Sequence, residues 1–116
     1  MSFKELRVWR QSAALALRIK RVTNRFKRKE ARLADQMCRS AESIPDAIAE
    51  GRGRRTDRDF AGFLTTAVSS GNELENQIQR AFDYGLIPES TFTELTDETI
   101  SVRKQVITLR KRLEGK

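Results

Sequence analysis

The 116-residue chain carries 23 lysines and arginines against 16 acids, a formal charge of +7, with 38% hydrophobic and only 7% aromatic side chains. That length makes one domain, residues 1–116, around one core, and a charged fraction of 34% suits helices apolar along one stripe better than fully apolar strands. The absence of histidine and the single cysteine, Cys38, exclude an internal disulfide, a multi-cysteine zinc site and the usual neutral-pH general base.

The first helix is predicted over about residues 3–24. Ser2 and Glu5 have capping-box spacing; Leu6, Trp9, Ala13, Ala16 and Leu17 fall on one face, which Leu15, Ile19, Val22 and Phe26 widen. The charged stretch Arg25 to Lys29 breaks the pattern. The second helix, about residues 30–50, has the seam Leu33, Met37, Ala41, Ile44 and Ile48. Pro45 interrupts its hydrogen bonding but not its phase, which predicts a kink rather than two helices. Gly51 and Gly53 are expected to end it through a left-handed residue.

Thr56 and Asp59 have N-cap spacing for a third helix over about residues 57–84. Its seam, Phe60, Leu64, Ala67, Gly71, Leu74, Ile78 and Ala81, is a heptad with small residues in the middle, where close helix approach is expected. The fourth, about residues 88–113, opens at Pro88 as a first helical residue and follows Leu95, Thr99, Val102, Val106, Leu109 and Leu113. Four such helices joined by short loops predict an all-α, antiparallel up-down-up-down bundle.

The charge is uneven. Residues 1–58 hold 16 basic and 7 acidic side chains, and residues 59–116 hold 7 and 9. Two runs dominate, Arg18 to Arg32 and Arg52 to Arg58, and such asymmetry points to an anionic partner, nucleic acid foremost. In the predicted topology the N-terminus, the 51–57 loop and the C-terminus share one end. That end gathers Arg7, Arg10, Arg52, Arg54, Arg55, Arg58, Arg110, Lys111 and Arg112, with Lys4 and Lys116 beside them, as a basic pole for RNA or DNA phosphates. Gly51 to Arg55 is not a nucleotide-binding P-loop, since it lacks the Lys-Ser/Thr pair and the preceding strand. Beside the third helix's N-terminus it is expected to hold phosphate through amides and guanidinium forks together.

Arg39, Ser43 and Glu50 on the second helix face Ser70 and Glu73 on the third. Antiparallel pairing about Arg54 sets Arg39 against Ser70, within a turn of Glu73, and Glu50 against Arg58. No nucleophile–base pair accompanies them, so the expectation is a charge-paired polar layer that fixes register. Cys38, Trp9 and Phe60 read as packing residues. Phe63 falls one residue off its seam and, with the extra apolar residues of the first helix, suggests a subunit contact.

With these segments placed, the sequence resembles the four-helix-bundle family of proteins encoded by intervening sequences in bacterial 23S ribosomal RNA genes. The resemblance rests on Phe3-Lys4-Glu5-Leu6-Arg7-Val8-Trp9, Gln36-Met37-Cys38-Arg39-Ser40-Ala41, Ser43-Ile44-Pro45 and, most specifically, Ile48-Ala49-Glu50-Gly51-Arg52-Gly53-Arg54. Phe60, Phe63-Leu64, Ala67, Ser70 and Glu73-Leu74 fall at the family spacing. Ala47 stands where the family commonly has asparagine, Lys27 where it has proline, and Tyr84-Gly85-Leu86-Ile87 varies its Leu-Gly-Tyr-Ile. The family has no assigned catalytic residue. Related accessory proteins of diversity-generating retroelements imply a basic bundle that assembles as a pentamer and binds nucleic acid and a reverse transcriptase.

The expectation is therefore a non-enzymatic, homo-oligomeric basic bundle binding RNA or DNA through backbone phosphates, the alternative being a scaffold that recruits a protein partner. No cofactor or metal is expected. No apolar run approaches the ~18 residues of a membrane span and the N-terminus has no signal-peptide core, so no membrane partner and a cytoplasmic location are expected.

Overall fold

Four helix-phased apolar runs become four long helices in the computed structural model, which describes residues 2–115: α1 Arg7–Thr23, α2 Ala31–Arg52, α3 Asp57–Asp83 and α4 Glu89–Glu114. Each helix packs on its neighbour in sequence and α4 closes the ring on α1, with no close backbone approach between diagonal helices among the described residues. The result is an antiparallel four-helix rod of 46 × 20 × 20 Å.

The seams of α2 and α3 are buried at every expected position, and Leu95, Thr99, Val102 and Val106 of α4 are buried while Leu109 and Leu113 are half-buried. The α1 seam differs from expectation. Val8, Ser12, Leu15, Ile19 and Thr23 face the core, Leu6, Trp9, Ala13 and Ala16 lie at its flanks, and Leu17 is 50% exposed. Two hydroxyls occupy this seam because each bonds its own helix: Ser12 Oγ donates to the Trp9 carbonyl at 3.0 Å and Thr23 Oγ1 to the Lys20 carbonyl at 3.2 Å. Their polarity is satisfied without solvent.

Helix α1 also begins later than expected. Phe3–Glu5 form a separate 3-10 turn, with Ser2 Oγ accepting from the Lys4 amide at 3.3 Å, and Leu6 is extended. Trp9 meets Phe3 edge-to-face at 5.2 Å, and the Arg10 guanidinium donates to the Lys4 and Glu5 carbonyls at 3.1 and 3.0 Å. These contacts fold the leading turn back on the helix. A second 3-10 turn, Arg28–Glu30, leads into α2.

Helix α2 runs unbroken through the buried Pro45. Gly51 and Gly53 do not end it in the left-handed region, since Gly51 is helical and Gly53 has φ −82°. Gly51 serves a close approach instead: a Cβ there would lie 2.8 Å from both Phe60 Cδ1 and Phe63 Cβ. Gly71 is not such a point, because its Cβ would meet Arg103 Cβ at an ordinary 3.7 Å. The left-handed glycine is Gly85, φ 75°. There the Leu86 amide donates to the Ala81 carbonyl and the Gly85 amide to the Phe82 carbonyl, both at 2.9 Å, closing α3 with paired reverse bonds. Pro88 is the N-cap of α4 rather than its first residue, its carbonyl accepting from the Phe92 amide at 3.0 Å.

Candidate nucleic-acid interface

The end of the rod that gathers the basic pole is shaped by the α2–α3 turn. Gly51 lets Phe60 and Phe63 close on α2, the Arg54 amide donates to the Gly51 carbonyl at 3.0 Å, and Thr56 Oγ1 caps α3 by accepting from the Asp59 amide at 3.1 Å. The turn is thus short and held by its own bonds. Arg58 lies in a groove with Leu113 and Glu114 of α4, and Arg7 lies in one with Arg112. The three chain segments expected at this pole do meet there. Lys116 lies outside the described residues.

The pole's cations are not equivalent. Arg54 is engaged, 3.6 Å from the Glu50 carboxylate and stacked 4.7 Å over the Phe63 ring. Arg10 is spent on the Lys4 and Glu5 carbonyls, and Arg110 lies 3.8 Å from Glu114. Arg52 is half-buried. Arg7, Arg55, Arg58, Lys111 and Arg112 are exposed and carry no ion pair to a described residue.

The amides of α3 are a poorer phosphate site than expected. Thr56 already takes the Asp59 amide, and Asp57 and Asp59 occupy the first turn. Their carboxylates favour the helix dipole and repel an approaching phosphate. The pole therefore offers guanidinium and ammonium groups rather than a helix terminus.

The polar layer also differs from expectation. Ser70 Oγ donates to Ser43 Oγ at 2.7 Å, joining α3 to α2. Arg39 is 80% exposed and pairs along its own helix with Asp35, Nε to carboxylate 3.3 Å, and Glu50 pairs with Arg54 rather than Arg58. Glu73 is exposed and lines a polar groove with Gln36, Arg39, Ser40, Asn76, Gln77 and Arg80, without an ion pair to any described residue. A charge in water needs no partner, so Glu73→Ala should cost under about 0.5 kcal/mol, whereas Ser70→Ala should cost about 1 kcal/mol. Urea unfolding of both variants checks the order, and a larger loss at Glu73 would show that its charge is paired.

The charge contacts that do join helices were not visible in the sequence. Arg18 of α1 forks to Glu94 and Glu98 of α4, and Arg103 of α4 pairs with Glu75 of α3. The Glu94 hydrogen bond, with the charges of Glu98 and Glu94, holds the Arg18 guanidinium above its ordinary pKa against the opposing effect of burial. Gln105 donates to Gln11 across the same α1–α4 seam. Two carboxylates four residues apart on α4 were the available signal, but matching them to Arg18 requires the register between the first and last helices.

Cys38 is half-buried, with Sγ 3.3 Å from Thr23 Oγ1 across the α1–α2 contact. No group of three or more histidine, cysteine or acidic side chains among the described residues is placed to hold a metal ion, and no helix is long and apolar enough to cross a membrane.

The sequence model of the 23S rRNA-intervening sequence protein family matches residues 4–108. No curated protein matches the chain. Among solved structures, a protein of unknown function from the S23 ribosomal protein family of Bacteroides thetaiotaomicron is similar, at 24% identity and a TM-score of 0.85 over 90% of this chain and 98% of that chain. At that identity the likeness is one of fold.

Proposed function

The chain belongs to the 23S rRNA-intervening sequence protein family, and on that premise we propose that it acts without catalysis, as a basic bundle that binds RNA or DNA through backbone phosphates at its pole. One observation carries the reading. Arg7, Arg55, Arg58, Lys111 and Arg112 converge on one end of the rod, exposed and without an ion pair to any described residue. Cations meant only for solubility need not converge, whereas phosphate recognition requires it. Guanidinium forks suit phosphate oxygens, and such contacts position a backbone without reading its bases.

Self-association is the second part of the proposal, with five copies implied by the resemblance described above. Its support within the chain is narrower than the sequence suggests, because Leu15 and Ile19 are buried in the chain's own core. What remains is the exposed Leu17 (50%) and Tyr84 (60%), the half-buried Val22 and Phe63, and the buried Gln77 Oε1 beside the α2–α3 groove, which has no partner among the described residues.

The test is salt-dependent binding of a short labelled duplex, with light scattering of the same samples for mass. Each phosphate contact contributes about 0.7–0.9 to the slope of log affinity against log salt. Replacing Arg55, Arg58 and Arg112 by glutamine should flatten that slope by about 2–3 and leave the helical signal unchanged. An unaltered slope would remove the pole from the interface, and the mass of a single chain would remove the assembly.

A further inference from the structure

The opposite end of the rod carries uncommitted charge of its own. Arg21, Arg25, Lys27, Arg28, Lys29 and Arg32 are all exposed, and none pairs with a described residue. Of the other two members of this run, Lys20 is exposed and pairs with no described residue, and Arg18 is held by Glu94 and Glu98. The acids of this end are Glu30 within the turn, Asp83 and Glu89 from the α3–α4 connection, Glu94, which is taken by Arg18, and Asp35, which shares a groove with Lys27 and Arg28 and pairs with Arg39. Asp83 is already engaged by the Gln79 amide at 2.9 Å.

The turn that presents these cations is ordered by its own backbone. The Arg25 and Phe26 amides donate to the Val22 and Thr23 carbonyls at 3.2 and 2.9 Å, and the Glu30 amide to the Lys27 carbonyl at 2.8 Å. Phe26 is half-buried against the core and anchors the loop. The charges therefore stand on a fixed corner and need no folding step to be presented together.

We propose that this α1–α2 corner is a second site for nucleic-acid backbone phosphate, separate from the pole, so that one chain holds two segments at its two ends. The inference extends the proposed function and shares its phosphate chemistry, but none of its residues. Two facts make the sites separate. The rod is 46 Å long, several times the ~8–10 Å screening length at physiological salt, so neither end feels the other's charge. Its midsection carries Glu42, Asp46, Glu73, Glu75, Asp97 and Glu98 against Arg18, Arg39, Arg103 and Lys104, which disfavours one continuous backbone running from end to end.

The experiment counts duplexes. A DNA hairpin with a duplex stem of about 5 base pairs spans roughly 17 Å, less than the ~21 Å that separates Arg7 from Arg21 along α1 and well under the 46 Å of the rod, so its stem reaches one end at a time. Calorimetric titration at low salt should give two duplexes per chain for the wild type. The variant with Arg21, Arg25, Lys27, Arg28 and Lys29 replaced by glutamine should give one, as should the pole variant with Arg55, Arg58 and Arg112 replaced by glutamine. All these side chains are exposed, and circular dichroism verifies that both variants keep their helices. A corner variant that binds as many duplexes as the wild type overturns the corner site. If the corner variant loses all binding while the pole variant keeps it, the corner stands and the pole reading falls. A wild type that binds no duplex removes both.

Discussion

Gly51→Ala should lower the free energy of unfolding by about 1–2 kcal/mol, although alanine is the better helix former by about 1 kcal/mol. The added methyl would sit 2.8 Å from Phe60 Cδ1 and 2.8 Å from Phe63 Cβ. The Phe60 ring can tilt, but the Phe63 Cβ is rigidly attached to the α3 backbone and cannot move alone. Relief therefore requires α3 to shift away from α2, and such overpacking costs about 1–3 kcal/mol. Gly62 supplies the contrast on the same helix pair. It is exposed on α3 with nothing within 4 Å of an added Cβ, so Gly62→Ala should stabilise by up to about 1 kcal/mol. Urea unfolding of both variants reads the difference, and a Gly51→Ala protein as stable as wild type would show that the two helices have room to part. Displacement of α3 would also move Arg55 and Arg58, so the effect bears on the pole as well as on stability.

The largest loss is expected from Leu74→Ala, at about 3–5 kcal/mol. Leu74 is 0% exposed in the core formed by all four helices. The residues one turn before it on α3 are Ser70 and Gly71, too small to lean into the space a leucine leaves. Ser70 is further held by its bond to Ser43. A cavity that cannot collapse keeps its full cost, which places this site toward the upper part of the range measured for such truncations. Against a total stability of about 5–15 kcal/mol for a domain, the loss is large enough to show as partial unfolding at moderate temperature. A loss below about 2 kcal/mol would mean that the helices close over the gap.

The three seams that could be read correctly share a property. Those of α2, α3 and α4 are marked by large aliphatic residues, with alanine, glycine or threonine between them, and the helical period admits only one phase. Helix α1 has apolar residues on more than half of its surface, so periodicity alone left two phases open. The choice fell to Ser12 and Thr23, polar residues whose hydroxyls bond their own helix and thereby become acceptable in the core. Leu17, apolar but left at 50% exposure, is the counterpart of that choice.

The candidate interface divides in the same way. Clustering of basic residues at the two ends follows from chain order and the length of four helices, both legible in the sequence. Which cations are uncommitted does not follow. Arg54 is taken by Glu50 and the Phe63 ring, Arg10 by two carbonyls and Arg110 by Glu114, and these are local contacts whose formation depends on rotamer and exposure. The pairing of Arg39 with Asp35 rather than across to Glu73 has the same origin. A long side chain in water has a near partner on its own helix and gains little by reaching further.

The all-helical bundle, the direction in which three of its helices turn their apolar faces and the collection of charge at the ends are all legible in the chain, because hydrophobic period, turn chemistry and composition are properties read locally. Packing of the four helices set the phase of α1, the role of Gly51, the cross-helix fork of Arg18 onto Glu94 and Glu98, and which arginines face solvent with no ion pair to a described residue. Each of these depends on the distance between residues far apart in sequence, and that distance exists only once all four helices have packed.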